Sequence, residues 1–158
     1  MLDQLDVQER TVLPPAPPIH GVTALLRDAH RTVARALSNK IAPHGVSIGQ
    51  WHFLRALWEE DGMTQRELSH RVGMMEPTTV TALNGMERRG LVKRVRNPRD
   101  RRKLNVYLTE TGRGLKAQLL PLEEALNQEI SMLATGATGF DQALQAVIAG
   151  LGSKDRDA

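Results

Sequence analysis

A chain of 158 residues, 41% hydrophobic and 25% charged, suits one compact domain or two small lobes sharing a core, not a disordered tail. It has no cysteine, which excludes disulfide frameworks, Cys-based zinc sites and thiol redox sensing, and its 3% aromatic content is too low for a base-stacking platform. Net charge is only +3, but Arg88 to Lys103 carries nine basic residues against Asp100 alone, a local +8 that leaves −5 for the rest. An acidic-leaning body with one dense basic segment suits a localised polyanion contact, the plainer alternative being a solvated loop. No apolar run approaches the roughly 18 residues of a membrane helix. The acidic start Met1-Leu2-Asp3-Gln4-Leu5-Asp6 lacks the apolar stretch of a secretory signal, so a cytoplasmic location is expected.

In chain order, residues 1–18 are polar and end in Pro14-Pro15-Ala16-Pro17-Pro18, which predicts an extended polyproline arm, a spacer rather than a docking peptide. Val22, Leu25, Leu26, Ala29, Val33, Ala36, Leu37 and Ile41 recur at helical spacing and predict a first helix to about Asn39, ended by Pro43 and Gly45. Ser47-Ile48-Gly49-Gln50 is a capping box, in which serine and glutamine three apart satisfy each other's exposed amides. It opens a second helix to about Glu60, with Trp51, Leu54, Leu57 and Trp58 inward and Asp61-Gly62 as its stop. A second box, Thr64-Gln65-Arg66-Glu67, opens a short helix that ends before Gly73. Pro77 suits the first turn of a further helix, where its missing amide hydrogen would find no helical partner anyway. Val80, Leu83 and Met86 predict the buried face of that helix, and Gly90 its end.

Two short helices joined by a glycine turn make a helix-turn-helix candidate. Residues 91–95 and 104–108 then alternate at period two on either side of a turn, Asn97-Pro98-Arg99-Asp100. A basic β-hairpin directly after a helix-turn-helix is a winged helix. From Thr109 a long helix is expected, with Leu115, Leu119, Leu122, Leu126, Ile130 and Leu133 on one stripe and a kink at Pro121. Residues 136–139 should break it, Phe140, Leu144, Val147, Ile148 and Leu151 mark a last helix, and residues 153–158 should fray. The fold class is therefore mainly α with a small β-hairpin wing. Its parts are an arm (1–18), a helical region (19–46 with 109–152), a winged helix-turn-helix (47–108) and a tail (153–158). The long helices carry more apolar surface than a winged domain of about 60 residues can cover, so they are expected to pack together and against a second chain.

Trp51-x-x-Leu54, Gly62-x-Thr64-Gln65-x-Glu67-Leu68, Thr79-Val80-Thr81, Leu91-Val92-x-Arg94, Asp100-Arg101-Arg102 and Leu108-Thr109-x-x-Gly112 follow one another around the basic hairpin. In that order they resemble the MarR (multiple antibiotic resistance regulator) family of transcription factors, over about residues 20 to 151. The resemblance implies a homodimer with a helical dimerisation region and two winged lobes. Such dimers bind pseudo-palindromic operators in double-stranded DNA, often as repressors, and release them when a small molecule binds between the two regions.

The helix from Glu76 to Arg89 would enter the major groove by its N-terminal half. Its candidate contacts are Pro77, Thr78, Thr79, Thr81 and Asn84, joined by Thr64 and Gln65 of the preceding helix, although some of the threonines could only cap. Thr78 or Thr79 is the candidate phosphate contact, helped by the helix dipole. In the wing, Arg102 matches the family's minor-groove arginine, and Asp100 matches the acid that fixes its fork while also serving the turn. Arg99, Arg101 and Lys103 suit the DNA backbone, and Arg94 serves either a phosphate or the structure.

Five histidines, His20, His30, His44, His52 and His70, form no pair at ligand spacing, so neither a metal nor a cofactor is expected. Near the family's effector cleft this chain would place His30, Arg31, His44, Trp51 and His52, a set able to hold an aromatic carboxylate or acyl thioester by stacking and charge. Trp51 as plain core and the histidines as plain surface stay equally open. Met74 and Met75 are expected to pack around the inter-helix turn rather than sense oxidants. There is no nucleophile–base set or phosphate loop, so an enzyme is not expected. The alternative to a ligand-released repressor is an architectural DNA-binding protein with no effector.

Overall fold

The structure, a computed structural model, describes residues 21–134 and 139–152. The proline-rich arm, His20, residue 135, residues 136–138 of the expected break and the terminal tail lie outside them. Helices α1 (Val22–Ile41), α2 (Ile48–Glu59), α3 (Gln65–Val72) and α4 (Glu76–Arg88) precede strands β1 (Val92–Arg96) and β2 (Leu104–Leu108). Helices α5 (Glu110–Leu133) and α6 (Phe140–Gly152) follow. The chain divides into two compact units between Ala34 and Arg35. In the first, residues 22–34 belong to α1, and Val22, Leu25 and Val33 are exposed there rather than buried.

The second unit holds the core. Leu37 and Ile41 close α1, which runs two residues past Asn39 before the 3-10 turn Ala42–His44 and Gly45 end it. Both capping boxes form. Ser47 Oγ accepts from the Gln50 amide at 3.2 Å and Gln50 Oε1 from the Ser47 amide at 3.3 Å. Thr64 Oγ1 accepts from the Glu67 amide at 3.3 Å and Glu67 Oε2 from the Thr64 amide at 2.8 Å. With its start fixed, α2 buries Trp51, Phe53, Leu54 and Leu57. Trp58 is only half-buried, because its indole N–H turns to the Gly112 carbonyl at 3.0 Å while its ring meets Trp51 edge-on.

Helix α4 turns Thr79, Leu83 and Met86 inward, so Thr79 occupies the buried place expected of Val80, which is half-buried. Its end is a Schellman turn, with Leu91 N–H on Met86 O at 3.0 Å and Gly90 N–H on Glu87 O at 2.9 Å. Leu91 is used up in that turn, so β1 starts at Val92 and pairs antiparallel from Val92↔Leu108 to Arg96↔Leu104. Residues 62–64 lie alongside β2, with Gly62 N–H on Val106 O (3.0 Å), Val106 N–H on Met63 O (2.8 Å) and a bridge from Thr64 to Asn105. Asp61 ties the base together, Oδ1 accepting from the Leu108 amide and Oδ2 from Arg113, both at 2.8 Å.

Thr109 caps α5 by accepting the Gly112 amide at 3.1 Å. Gly112 itself is buried so closely that a Cβ would lie 2.1 Å from Leu91 O. The helix continues through exposed Pro121 as one element. On its stripe Leu119 and Leu126 are buried, Leu115, Leu122 and Ile130 half-buried, and Leu133 exposed. Phe140, Val147 and Ile148 of α6 are also exposed. Among the described residues no helix is long and apolar enough to cross a membrane.

Candidate nucleic-acid interface

The wing turn is built from Asn97. Its Oδ1 accepts from the Arg99 and Asp100 amides at 2.9 and 3.1 Å, and its Nδ2 donates to Asn105 Oδ1 at 2.9 Å. Asn105 in turn donates to the Gly62 carbonyl at 2.7 Å, so the turn is anchored to the loop before α3. Asp100 is thereby held half-buried with its carboxylate toward Arg102, whose Nε donates to Oδ1 at 3.2 Å and whose backbone N–H donates to the same oxygen at 3.1 Å. The Arg102 hydrogen bond holds the Asp100 carboxyl below its ordinary value. Arg102 stays 90% exposed, an oriented cation in open solvent. Arg99, Arg101 and Lys103 are exposed around it.

The fold brings this wing to the start of α3. A groove of about 410 Å³ is lined by Thr64, Gln65, Arg66, Glu67, Glu76, Asp100, Arg102, Lys103 and Leu104. Thr64 is committed to capping, its hydroxyl also donating to Glu67 Oε2 at 2.7 Å, and those Thr64 bonds, with Lys103 nearby, lower the Glu67 pKa. Pro77, Thr78 and Thr81 are exposed on the first turns of α4, Thr81 Oγ1 bonding the Pro77 carbonyl at 3.1 Å. Thr79 is different. It is fully buried and its hydroxyl has no partner, so in this state it offers nothing to DNA. The α4 N-cap, Met75, supplies no side-chain acceptor, and the first turn carries the acid Glu76 and Pro77, which has no amide hydrogen.

Arg94 sits inside the framework. Its Nε and Nη2 donate to Glu87 Oε2 at 3.2 and 2.7 Å, and Nη2 also to Asn84 Oδ1 at 2.6 Å. Nη1 reaches Gln65 Oε1 at 3.5 Å, and Glu87 Oε1 accepts the Arg94 amide at 3.1 Å. Of the two roles considered for Arg94, this geometry is the structural one, and it engages Asn84 and Gln65 as well.

The MarR family model matches residues 46–104, which contain the two helix-turn-helix helices and the wing turn. The homoprotocatechuate degradative operon repressor of Escherichia coli is 33% identical over 110 residues, 68% of this chain and 74% of that protein. The chain belongs to the MarR family. Another similar structure, the transcriptional repressor CouR bound to a 23-mer DNA duplex, is 28% identical, with a TM-score of 0.70 over 84% of this chain and 92% of that one. The HTH-type transcriptional regulator TtmR of Methylorubrum extorquens (strain PA1) is 33% identical over 91 residues, 58% of this chain, and the match spans about half of TtmR, 47%. The MarR family is one of transcriptional regulators, not enzymes, and its winged helix-turn-helix is the fold seen here.

Within this MarR-family chain, the residues considered for an effector differ in setting. Trp51 is 2% exposed, enclosed by the core and edge-on to Trp58, so it is a core residue and faces no solvent cleft. His44 is exposed with Nδ1 3.3 Å from Gln118 Oε1, and His52 is exposed on α2. His30 and Arg31 are exposed on α1 in the first unit. Met74 is half-buried as expected for packing, but Met75 is 76% exposed. Arg66, 89% exposed and 3.7 Å from Glu76, belongs to the groove and escaped the charge count because it stands alone in sequence. Glu87 escaped it too, lying one residue before the basic block.

Proposed function

We propose that this MarR-family protein is a homodimeric repressor that acts in the cytoplasm on a pseudo-palindromic operator. The N-terminal half of α4 enters the major groove, and the wing places Arg102 in the adjacent minor groove. The observation that carries this reading is the Asp100–Arg102 pair, a fork tied at 3.2 Å yet 90% exposed, beside the α3–wing groove. Tethering removes rotamer entropy that a minor-groove arginine would otherwise lose on binding. Pro77, Thr78 and Thr81 then face bases or phosphates, and Arg99, Arg101 and Lys103 meet the DNA backbone.

A second copy of the chain would cover the apolar side chains exposed on α6 and at the end of α5, including Met132, Leu133 and Ile148. The repressor assignment leans on the E. coli relative, whose name ties it to homoprotocatechuate degradation, and the same name favours an aromatic carboxylate as the effector. Within the second unit His44 and His52 remain its candidate contacts, with Trp51 in the core behind them, and His30 and Arg31 are separate candidates on the first unit. Arg102→Ala is the deciding experiment. Operator affinity should fall by about 1–3 kcal/mol, the scale of one good specific contact. Unchanged affinity at equal salt would overturn the minor-groove role of Arg102.

A further inference from the structure

Within the basic segment Arg94 stands apart by burial, its side chain 17% exposed against 90% for Arg102. Its partners come from two elements, Glu87 and Asn84 on α4 and Gln65 on α3, so the side chain ties both helices to its own strand β1. Glu87 supplies three of those bonds, including the one to the Arg94 amide. We propose that Glu87 is a specificity-determining residue: by holding Arg94 in this bridge it keeps one cation off the DNA backbone and fixes the angle between α4 and the wing.

The inference rests on the DNA-binding reading above. A freed arginine beside the groove would add a phosphate contact, and such contacts strengthen binding to every sequence alike. Held in the bridge, the same side chain sets where α4 and the wing stand relative to each other, and only a matching site rewards that spacing. Lysine cannot substitute, because a single ammonium has no planar fork to span carboxylate, amide and amide together. The Arg94 hydrogen bond also keeps the Glu87 carboxyl below its ordinary value, so the bridge persists across the physiological pH range.

The test compares wild type, E87A, R94A and R94K on two duplexes over a salt series, read by fluorescence anisotropy. One duplex is selected by the wild-type protein from a randomised pool, and the other is a scramble of equal length and composition. E87A should bind the scramble about fivefold more tightly near 0.15 M salt, with a salt slope steeper by about 0.9, the signature of one added phosphate contact. R94A should lose about tenfold or more on the selected duplex, the scale of lost charge-assisted bonds, with its slope on the scramble unchanged, and R94K should not restore it.

An unchanged slope for E87A would overturn the proposal. So would an R94A slope shallower by about 0.9 with equal losses on both duplexes, since Arg94 would then itself be on a phosphate. Glu87 is 39% exposed and outside the core, so E87A decides the matter even if circular dichroism finds R94A misfolded. Wild-type protein binding neither duplex in a salt-dependent way would instead refute the DNA-binding reading, and this inference with it.

Discussion

Replacing Thr79 by valine should make the protein more stable and leave its DNA binding alone. The Thr79 hydroxyl is fully buried, and no hydrogen-bond partner meets it. A buried polar group in that position costs about 1–3 kcal/mol of desolvation, whereas valine has the same shape with a methyl in its place. Thr and Val have similar helix propensities, so little is lost in α4 itself. A gain of about 1 kcal/mol follows, or about 2–4 °C in melting temperature for a chain of this size. Denaturation should be followed by circular dichroism at matched protein concentration, because association of chains shifts apparent stability. Affinity for a selected operator should stay within about twofold, whereas Thr78→Val, one residue away but exposed, should weaken it by the order of one polar contact. A Thr79→Val protein that melts below wild type, or that folds normally but loses DNA about tenfold, would refute the reasoning, because the hydroxyl would then have a partner.

Gly112→Ala and Gly114→Ala, two residues apart in α5, should have opposite signs. The first drives a Cβ into Leu91 O at 2.1 Å and strains the Trp58–Gly112 bond, costing about 2–4 kcal/mol, while the second meets nothing within 4 Å and gains about 0.5–1 kcal/mol of helix propensity, both measurable by urea denaturation. Asp100 should titrate below the ordinary aspartate value, because its hydrogen bond from Arg102 favours the charged form. The tether is therefore complete above the ordinary range and lost as pH falls through the lowered value, and NMR titration should find the midpoint rising in Arg102→Ala. Ile148→Glu places a charge on a side chain 72% exposed in α6, so sedimentation should find a folded protein shifted from dimer to monomer. A dimer unaffected by that charge would place the association surface elsewhere.

What could be read directly from the residues was whatever depends on near neighbours. Ser47 with Gln50 and Thr64 with Glu67 satisfy amides three residues apart, so both helix starts were legible without a tertiary structure. The Asp100–Arg102 pair is equally local, and its tethered fork was expected from the resemblance to the MarR wing, with the two-residue spacing making it feasible. On the inward face of α4, Leu83 and Met86 were legible and the first buried place was not, because Thr79 and Val80 are adjacent and hydropathy favours the valine. The position of α4 against Leu83 and Met86 decides for the threonine. Arg94 shows the same limit at longer range, since its partners lie 7, 10 and 29 residues away and sequence spacing alone left phosphate and framework both open. Trp58 packs against the core only in part, because its N–H finds an acceptor 54 residues off, the Gly112 carbonyl. Val22, Leu25 and Val33 obey helical periodicity yet lie exposed, because periodicity marks which side chains seek cover and not what provides it.

The support of the wing and the tip that it presents are chemically separate. Strand pairing, the Asn97–Asn105–Gly62 relay and the Asp61 anchor all lie at or below the base of the turn. Arg99 and Arg101 take part in that scaffold through backbone atoms, Arg99 by its amide and Arg101 by its carbonyl, while their side chains are exposed. The tip is therefore an interchangeable cartridge. Side chains at 99 and 101 can be rewritten without disturbing the mount, provided the backbone amide at 99 and the carbonyl at 101 stay in place. Substitutions there change what the wing offers to a partner and leave what holds the wing untouched.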